Sequence, residues 1–206
     1  MSRRAAAEAV RSKVVGPSPP VRTLRALLAD LPSAQVRGDA SVLISSVCYR
    51  SSEVRPGALF ACVPGSRSDG HDFAAEAALR GAAALLVERF LPIELPQVRV
   101  ERVRAALGPV AAAFFSHPSR RLRMVGVTGT NGKTTTTHLL ASIFRERGWR
   151  AGFIGTTGVR IDDRAVPFPR TTPEAPDLQR LLAEMVEAGV DAVAMEVSSH
   201  GLDQHR

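Results

Sequence analysis

Cysteine, aromatic residues and lysine are all scarce in this 206-residue chain. Two cysteines, Cys48 and Cys62, are too few for a disulfide framework or a cysteine-built zinc site. The expected compartment is therefore the cytoplasm, with both thiols reduced. No run of 18 apolar residues occurs, which excludes a transmembrane helix. The opening Met1-Ser2-Arg3-Arg4-Ala5 lacks the apolar block and small-residue cleavage site of a secretory signal. Aromatics make up 5% of the chain, which leaves no evident base-stacking platform for nucleic acid. The net charge of +7 is concentrated at the start, where Arg3, Arg4, Arg11, Lys13, Arg22 and Arg25 face only Glu8. The rest is nearly neutral, so no nucleic-acid partner is expected, a binder acting through the basic tail being the competing reading. No membrane partner is expected either, and the chain is read as a monomer.

What is present is ordinary globular composition, with 45% hydrophobic and 23% charged residues. The length suits one large domain or two small ones. Of the 27 basic side chains only Lys13 and Lys133 are lysines. A lone body lysine in an arginine-rich chain marks a place where a compact ammonium is needed and a planar guanidinium does not fit.

Residues 1–21 read as a basic tail ending in Gly16-Pro17-Ser18-Pro19-Pro20, which cannot extend a helix. Leu24, Leu27, Leu28 and Leu31 recur at helical spacing and stop at Pro32. The runs 42–48, 59–63, 83–87 and 98–100 predict strands, and 73–79 and 103–115 predict helices. Residues 22–118 thus form a small α/β domain. The pattern restarts at 119–206: a buried strand over 122–127, a polar glycine loop over 128–132, and a helix over 133–147 with Leu139, Leu140, Ile143 and Phe144 inward. A strand follows around Phe153-Ile154, then a helix over 177–188 and a strand over 190–197. This alternation predicts a parallel α/β sheet, and three strands make a small one, so the second domain reads as cut short.

The loop Gly129-Thr130-Asn131-Gly132-Lys133-Thr134-Thr135 carries the strongest chemical signal. Glycines bring backbone N–H groups close to phosphate oxygens, and the following helix adds its positive end. Lys133 would reach the β- and γ-phosphates and the Thr134 hydroxyl would hold Mg²⁺. The spacing is shorter than the standard GxxxxGK[ST], and a simple glycine turn is the plain alternative. Glu196, at the carboxyl end of a predicted strand, is a natural Mg²⁺ ligand in an open α/β sheet or else a strand-end surface acid. Thr171-Thr172-Pro173-Glu174 reads as a helix entry with threonine as cap and Pro173 first. Ser198 and Ser199 read as caps, and His71, His117 and His138 as structural.

The tracts VGVTGTNGKTTTT, RTTP and MEVSSHGLDQHR, with RSSEVRPGALFACVPGSRSDGHDF in the first half, resemble the Mur ligase family, in its UDP-N-acetylmuramoyl-tripeptide synthetase branch. The resemblance implies an N-terminal UDP-binding domain and the first part of an ATPase domain. It implies an ATP- and Mg²⁺-dependent amide ligase of peptidoglycan synthesis. Such an enzyme activates UDP-MurNAc-L-Ala-D-Glu as an acyl phosphate and joins it to a diamino acid, meso-diaminopimelate or L-lysine. By the same resemblance Gly129, Thr130, Asn131, Gly132, Lys133, Thr134 and Thr135 bind ATP, and Thr134 and Glu196 match Mg²⁺ positions. Ser51 meets the uridine part, with Ser66, Arg67 and Ser68 in a neighbouring nucleotide loop. Thr171, Thr172, Ser198, Gln204 and Arg206 contact the muramoyl-dipeptide. The family often has Asp-Ser-Arg where this chain has Arg50-Ser51-Ser52. A truncated nucleotide-binding module without turnover is the alternative reading.

Overall fold

The computed structural model describes residues 20–65, 68–168 and 170–206. The chain begins with β1 (Arg22–Thr23) and α1 (Leu24–Leu27), followed by β2 (Gln35–Arg37), β3 (Leu43–Ile44), β4 (Ser46–Cys48) and β5 (Ala58–Ala61). Then come α2 (Ala74–Leu79), β6 (Ala82–Val87), β7 (Gln97–Arg99) and α3 (Val103–Phe114). The five strands β2-β7-β6-β5-β4 lie side by side in that order. β4 to β7 are parallel, and β2 runs antiparallel at the edge. Alternate residues of the central strands serve opposite faces. Leu59, Ala61, Ala84 and Leu86 pack with α1 and α3, while Ala58, Phe60, Leu85 and Val87 pack with α2. A sheet covered on both faces explains why β5 and β6 are apolar throughout.

The stretch 42–48 is not one strand. Ser45 bonds through its N–H to Gly57 O (2.9 Å) and through its hydroxyl to Pro56 O (3.1 Å). The break sends β3 to pair with β1, and β4 to pair with β5. The first helix is also shorter than its leucine spacing predicts, because Leu28 leaves helical geometry right after Leu27.

The second half holds β8 (Arg123–Val127), α4 (Lys133–Glu146), β9 (Ala151–Gly155), β10 (Gly158–Ile161), β11 (Arg164–Val166), α5 (Ala175–Glu187), β12 (Ala192–Glu196) and α6 (Ser199–Asp203). Its sheet order is β11-β10-β9-β12-β8. β8, β12 and β9 are parallel, and β10 and β11 add an antiparallel ribbon absent from the sequence reading. Leu181, Leu182 and Met185 of α5 pack on one face against Ile154, Val193 and Met195. Ala141 and Phe144 of α4 pack on the other against Ala151, Ala192 and Ala194.

Two expectations fail here. β8 is not buried: it is the outer strand, Arg123 and Gly126 are exposed, and Val125 is 36% exposed. Leu139 and Ile143 do not point inward but are 59% and 61% exposed. The cause is shared. α4 lies over β12 and β9, so its Thr137-Ala141-Phe144 stripe meets the sheet and the Leu139/Ile143 stripe is left exposed within the 206 residues.

The two halves touch. Ala175 of α5 belongs to the first core, and the Tyr49 hydroxyl donates to Asp177 Oδ2 at 2.9 Å. Among the described residues no helix is long and apolar enough to cross a membrane.

Candidate functional site

β8 ends at Val127 and α4 starts at Lys133, so residues 128–132 form the link between them at the carboxyl end of the parallel strands. In open α/β sheets ligands bind at that end. The loop needs its glycines: Gly129 has φ +142° and Gly132 φ +78°, values that side-chain-bearing residues rarely adopt. A Cβ at Gly132 would meet nothing within 4 Å, so the space beside that residue is open. Thr128, Gly129, Thr130, Asn131 and Gly132 are all exposed. The Lys133 ammonium does not enter the core. It folds back over the loop and donates to Gly129 O (2.8 Å) and Thr130 O (3.4 Å). A compact cation held by two carbonyls at an open glycine loop fits the terminal phosphates of a nucleotide. Thr134 is half-buried in the first turn of α4, and Thr135 is exposed.

Glu196 pairs in register with Val127, one residue before the loop. It is not a surface acid, having 0% exposure. Its Oε1 accepts the Thr156 N–H and its Oε2 the Thr156 hydroxyl, both at 3.0 Å. The side chain lies against Gly155, where a Cβ would collide with Oε1. Among the described residues Glu196 has hydrogen-bond donors but no cationic side chain in an ion pair. A buried carboxylate without a countercharge is costly, and a bound divalent cation would supply that charge. Mg²⁺ therefore fits this donor. No group of three His, Cys, Asp or Glu side chains suited to a metal occurs among the described residues. A metal here would accordingly be completed by Thr134, water and phosphate oxygens, as magnesium sites commonly are.

Of the residues expected to contact the dipeptide, Thr171, Thr172 and Ser198 lie close to Glu196, whereas Arg206 bonds to Gln204 and pairs with Glu174. Thr171 Oγ1 lies 3.1 Å from Thr156 Oγ1. The Thr172 hydroxyl donates to Glu196 O (3.3 Å) and accepts the Ser198 N–H (3.0 Å). Ser198 also caps α6, its Oγ accepting the Gly201 N–H at 3.0 Å. Arg206 Nη2 donates to Gln204 Oε1 at 2.9 Å. The expected helix entry is different: α5 begins at Ala175 with Glu174 at its cap position, and Pro173 stands outside. The Glu174 side chain makes no capping hydrogen bond and is buried instead. Sequence reasoning missed both Glu174 and Thr156, because a glutamate and a threonine near turns carry no motif.

Ser51 opens a short 3₁₀ turn after β4, and Ser68 lies in the loop after β5, so both sit beyond the carboxyl ends of adjacent parallel strands. Ser66 and Arg67 fall outside the described residues, as does the tail over 1–19. The 63–70 loop is anchored by Asp69. Its Oδ1 accepts the His71 N–H (3.0 Å) and pairs with His71 Nδ1 (2.6 Å), and its Oδ2 accepts from Arg89 (2.9 Å). Against the upward push of desolvation, the bonds from His71 and Arg89 hold the carboxyl at about 2. His71 is buried and accepts the Glu88 N–H on Nε2, so Nδ1 is the nitrogen that donates to Asp69. His138 stacks on Phe153 at 4.3 Å. A cleft of about 1090 Å³ between β4 and α5 contains none of the residues assigned to ligands above.

Comparison with known proteins agrees with both halves. The Mur ligase family catalytic-domain model matches residues 43–115, and the Mur ligase middle-domain model matches 127–206. The chain is 47% identical over 183 residues to the UDP-N-acetylmuramoyl-L-alanyl-D-glutamate–2,6-diaminopimelate ligase of Geobacillus thermodenitrificans, covering 89% of this chain and 37% of that one. It is 45% identical over 194 residues to the ligase of the same name from Streptomyces coelicolor, covering 91% and 38%. The chain thus spans little more than a third of the length of these relatives. A solved ligase of that name shares the fold, with a TM-score of 0.72 at 24% identity over 90% of this chain and 37% of that one. A Thermotoga maritima MurF ligase solved in complex with ADP matches with a TM-score of 0.52 at 26% identity, over 75% of this chain and 32% of that one. With one Mur model on each sheet and relatives aligned across nearly its whole length, the chain belongs to the Mur ligase family and carries its N-terminal and middle portions.

Proposed function

We propose that this chain supplies the nucleotide-sugar and phosphate-handling parts of an ATP-dependent ligase that joins 2,6-diaminopimelate to UDP-MurNAc-L-Ala-D-Glu. The observation that carries the reading is Lys133 Nζ, held over an open glycine loop next to the buried Glu196. The names of the relatives supply the substrate and favour diaminopimelate over L-lysine. ATP and Mg²⁺, when bound, would provide the phosphoryl group and part of the charge neutralisation that activate a carboxylate.

The roles of the chain's own residues are those that the family resemblance implies, and for the phosphate loop and Glu196 their chemistry supports it. Residues 129–135 bind the polyphosphate, with Lys133 as the point charge that a developing oxyanion needs. Thr134 and Glu196 hold the metal, and Thr156 fixes the Glu196 carboxylate. Ser51, Ser68 and the Ser66-Arg67 segment receive the uridine diphosphate. Thr171, Thr172, Ser198, Gln204 and Arg206 position the dipeptide. In this reading residues 22–118 and 119–206 act as two domains, and the protein works as a cytoplasmic monomer without nucleic-acid or membrane partners. The unpaired, buried Cys48 and Cys62 support a reducing compartment.

The test is phosphate release by the complete protein. Release is expected only when ATP, UDP-MurNAc-L-Ala-D-Glu and diaminopimelate are all present. Lys133→Ala should lower kcat by at least about 100-fold while leaving UDP-sugar affinity within a factor of about two. Lys133→Arg should fail to restore it, because a planar fork does not replace a point charge. Release that ignores the nucleotide-sugar would reject the reading.

A further inference from the structure

We propose that Glu174 is a positioning residue that gathers Arg104, Arg170 and Arg206 into one carboxylate-binding cluster at the seam between the two halves. The inference rests on the ligase reading and names a device within that same site. The Glu174 side chain is 8% exposed. Arg104, from α3 of the first half, reaches its Oε2 at 3.1 Å. Arg170 reaches Oε1 at 2.8 Å, and Arg206 Nε lies 3.2 Å from the same oxygen.

Charge decides what the cluster is for. A purely structural buried glutamate needs one or two cationic partners, and a third guanidinium beside it adds repulsion. Three guanidiniums on one carboxylate leave two positive charges uncompensated. Asp177, three residues along α5, faces the same seam, but its carboxylate accepts from Tyr49. Counting it still leaves one positive charge over. Arg206 Nε is buried 3.2 Å from Glu174 Oε1 without meeting hydrogen-bond geometry, so its tie to Glu174 is one of charge and the guanidinium keeps bonding capacity unspent on that carboxylate. A guanidinium tethered on one side by an ion pair and on the other by Gln204 is preorganised for a second, planar anion.

Position selects a carboxylate over the diphosphate. The cluster is continuous with the segment 171–172, which bonds to Ser198 and to Glu196 O. Through Thr171 and Thr156 it reaches the Glu196 carboxylate. It therefore belongs to the end where the dipeptide carboxylate is activated. Arg104 gives the first half a direct hold on that end, so Glu174 joins the two halves at the point where substrate charge arrives.

The experiment is calorimetric binding to the complete protein of two probes, UDP alone and UDP-MurNAc-L-Ala-D-Glu. Glu174→Gln keeps shape and removes charge. It should weaken the dipeptide-bearing probe by about tenfold or more and leave UDP within about twofold. Glu174→Asp should recover part of the loss. Equal weakening of both probes, or of neither, overturns the proposal. Wild-type protein that fails to bind UDP-MurNAc-L-Ala-D-Glu overturns the ligase reading and this inference with it. Wild-type binding with an unmoved Glu174→Gln variant overturns this inference alone. Should Glu174→Gln fail to fold, Arg170→Met replaces it. That side chain is 39% exposed, and the same contrast is expected at about threefold; loss of both affinities together, or of neither, again overturns the proposal.

Discussion

At the residue scale the site is built from close approaches that tolerate no extra atoms. Gly155 lies so near Glu196 that an added methyl must displace a buried carboxylate held by two bonds from Thr156. Gly155→Ala should therefore cost about 1–3 kcal/mol of stability, read as a drop in the urea midpoint. An unchanged midpoint would mean that the Glu196 side chain is free to move. Burial also governs the thiols. Desolvation pushes Cys48 and Cys62 up to about 12, so neither is a thiolate at neutral pH. A thiol reagent should label none in the native 206-residue chain and two in guanidinium; a native label would contradict their burial. Asp69 titrates the other way. Its folded value near 2 lies below the ordinary 3.8. Its contribution to stability is thus complete above about 4 and lost as pH falls through about 2. An NMR titration of the Asp69 carboxyl checks this, and a midpoint at the ordinary value would mean that the His71 and Arg89 contacts do not hold it.

At the element scale, α4 shows what decides which stripe of a helix is buried. Its sequence offers two apolar stripes, one through Ala141 and Phe144 and one through Leu139 and Ile143. Hydrophobicity alone does not choose between them. The choice is made by where the helix crosses the sheet, and it crosses β12 and β9 rather than the outer strand β8. In the 206-residue chain Phe144→Ala should cost about 3 kcal/mol or more. Leu139→Ser and Ile143→Ser should each stay within about 0.5 kcal/mol. Thermal and urea melts separate the two, and comparable losses at all three positions would refute the assignment of faces. β8 follows the same logic. A short apolar run reads as buried, but within the 206 residues β8 pairs with β12 alone, and Arg123, Val125 and Gly126 are exposed there.

At the scale of the whole molecule, the seam between the sheets couples the halves through unlike contacts. Ala175 adds to the first core, the Tyr49 hydroxyl holds Asp177, and Arg104 holds Glu174. The single tryptophan, Trp149, packs on Phe144 in the second half and so reports that half alone. If the seam couples the halves, its fluorescence and the far-ultraviolet circular dichroism of the whole chain should share one urea midpoint. Tyr49→Phe should lower that midpoint by the equivalent of about 1 kcal/mol. Two separated transitions would show that the seam carries little energy.

The order of the parallel strands and of the longer helices was legible in the amino-acid sequence because apolar runs and glycine or proline stops are local properties, whereas the short antiparallel strands β1, β2, β10 and β11 were not. The same holds for the phosphate loop, where lysine scarcity and glycine spacing mark Lys133 without any fold. Tertiary structure alone decided which strands of the 206 residues are neighbours, which sheet strands α4 crosses, and which side chains meet Glu196 and Glu174. Those facts depend on residues far apart in the chain. Thr156 is 40 positions from Glu196, and Arg104 is 70 from Glu174. A carboxylate's partners across such distances are set by how two sheets and their helices pack, and no spacing within the sequence encodes them.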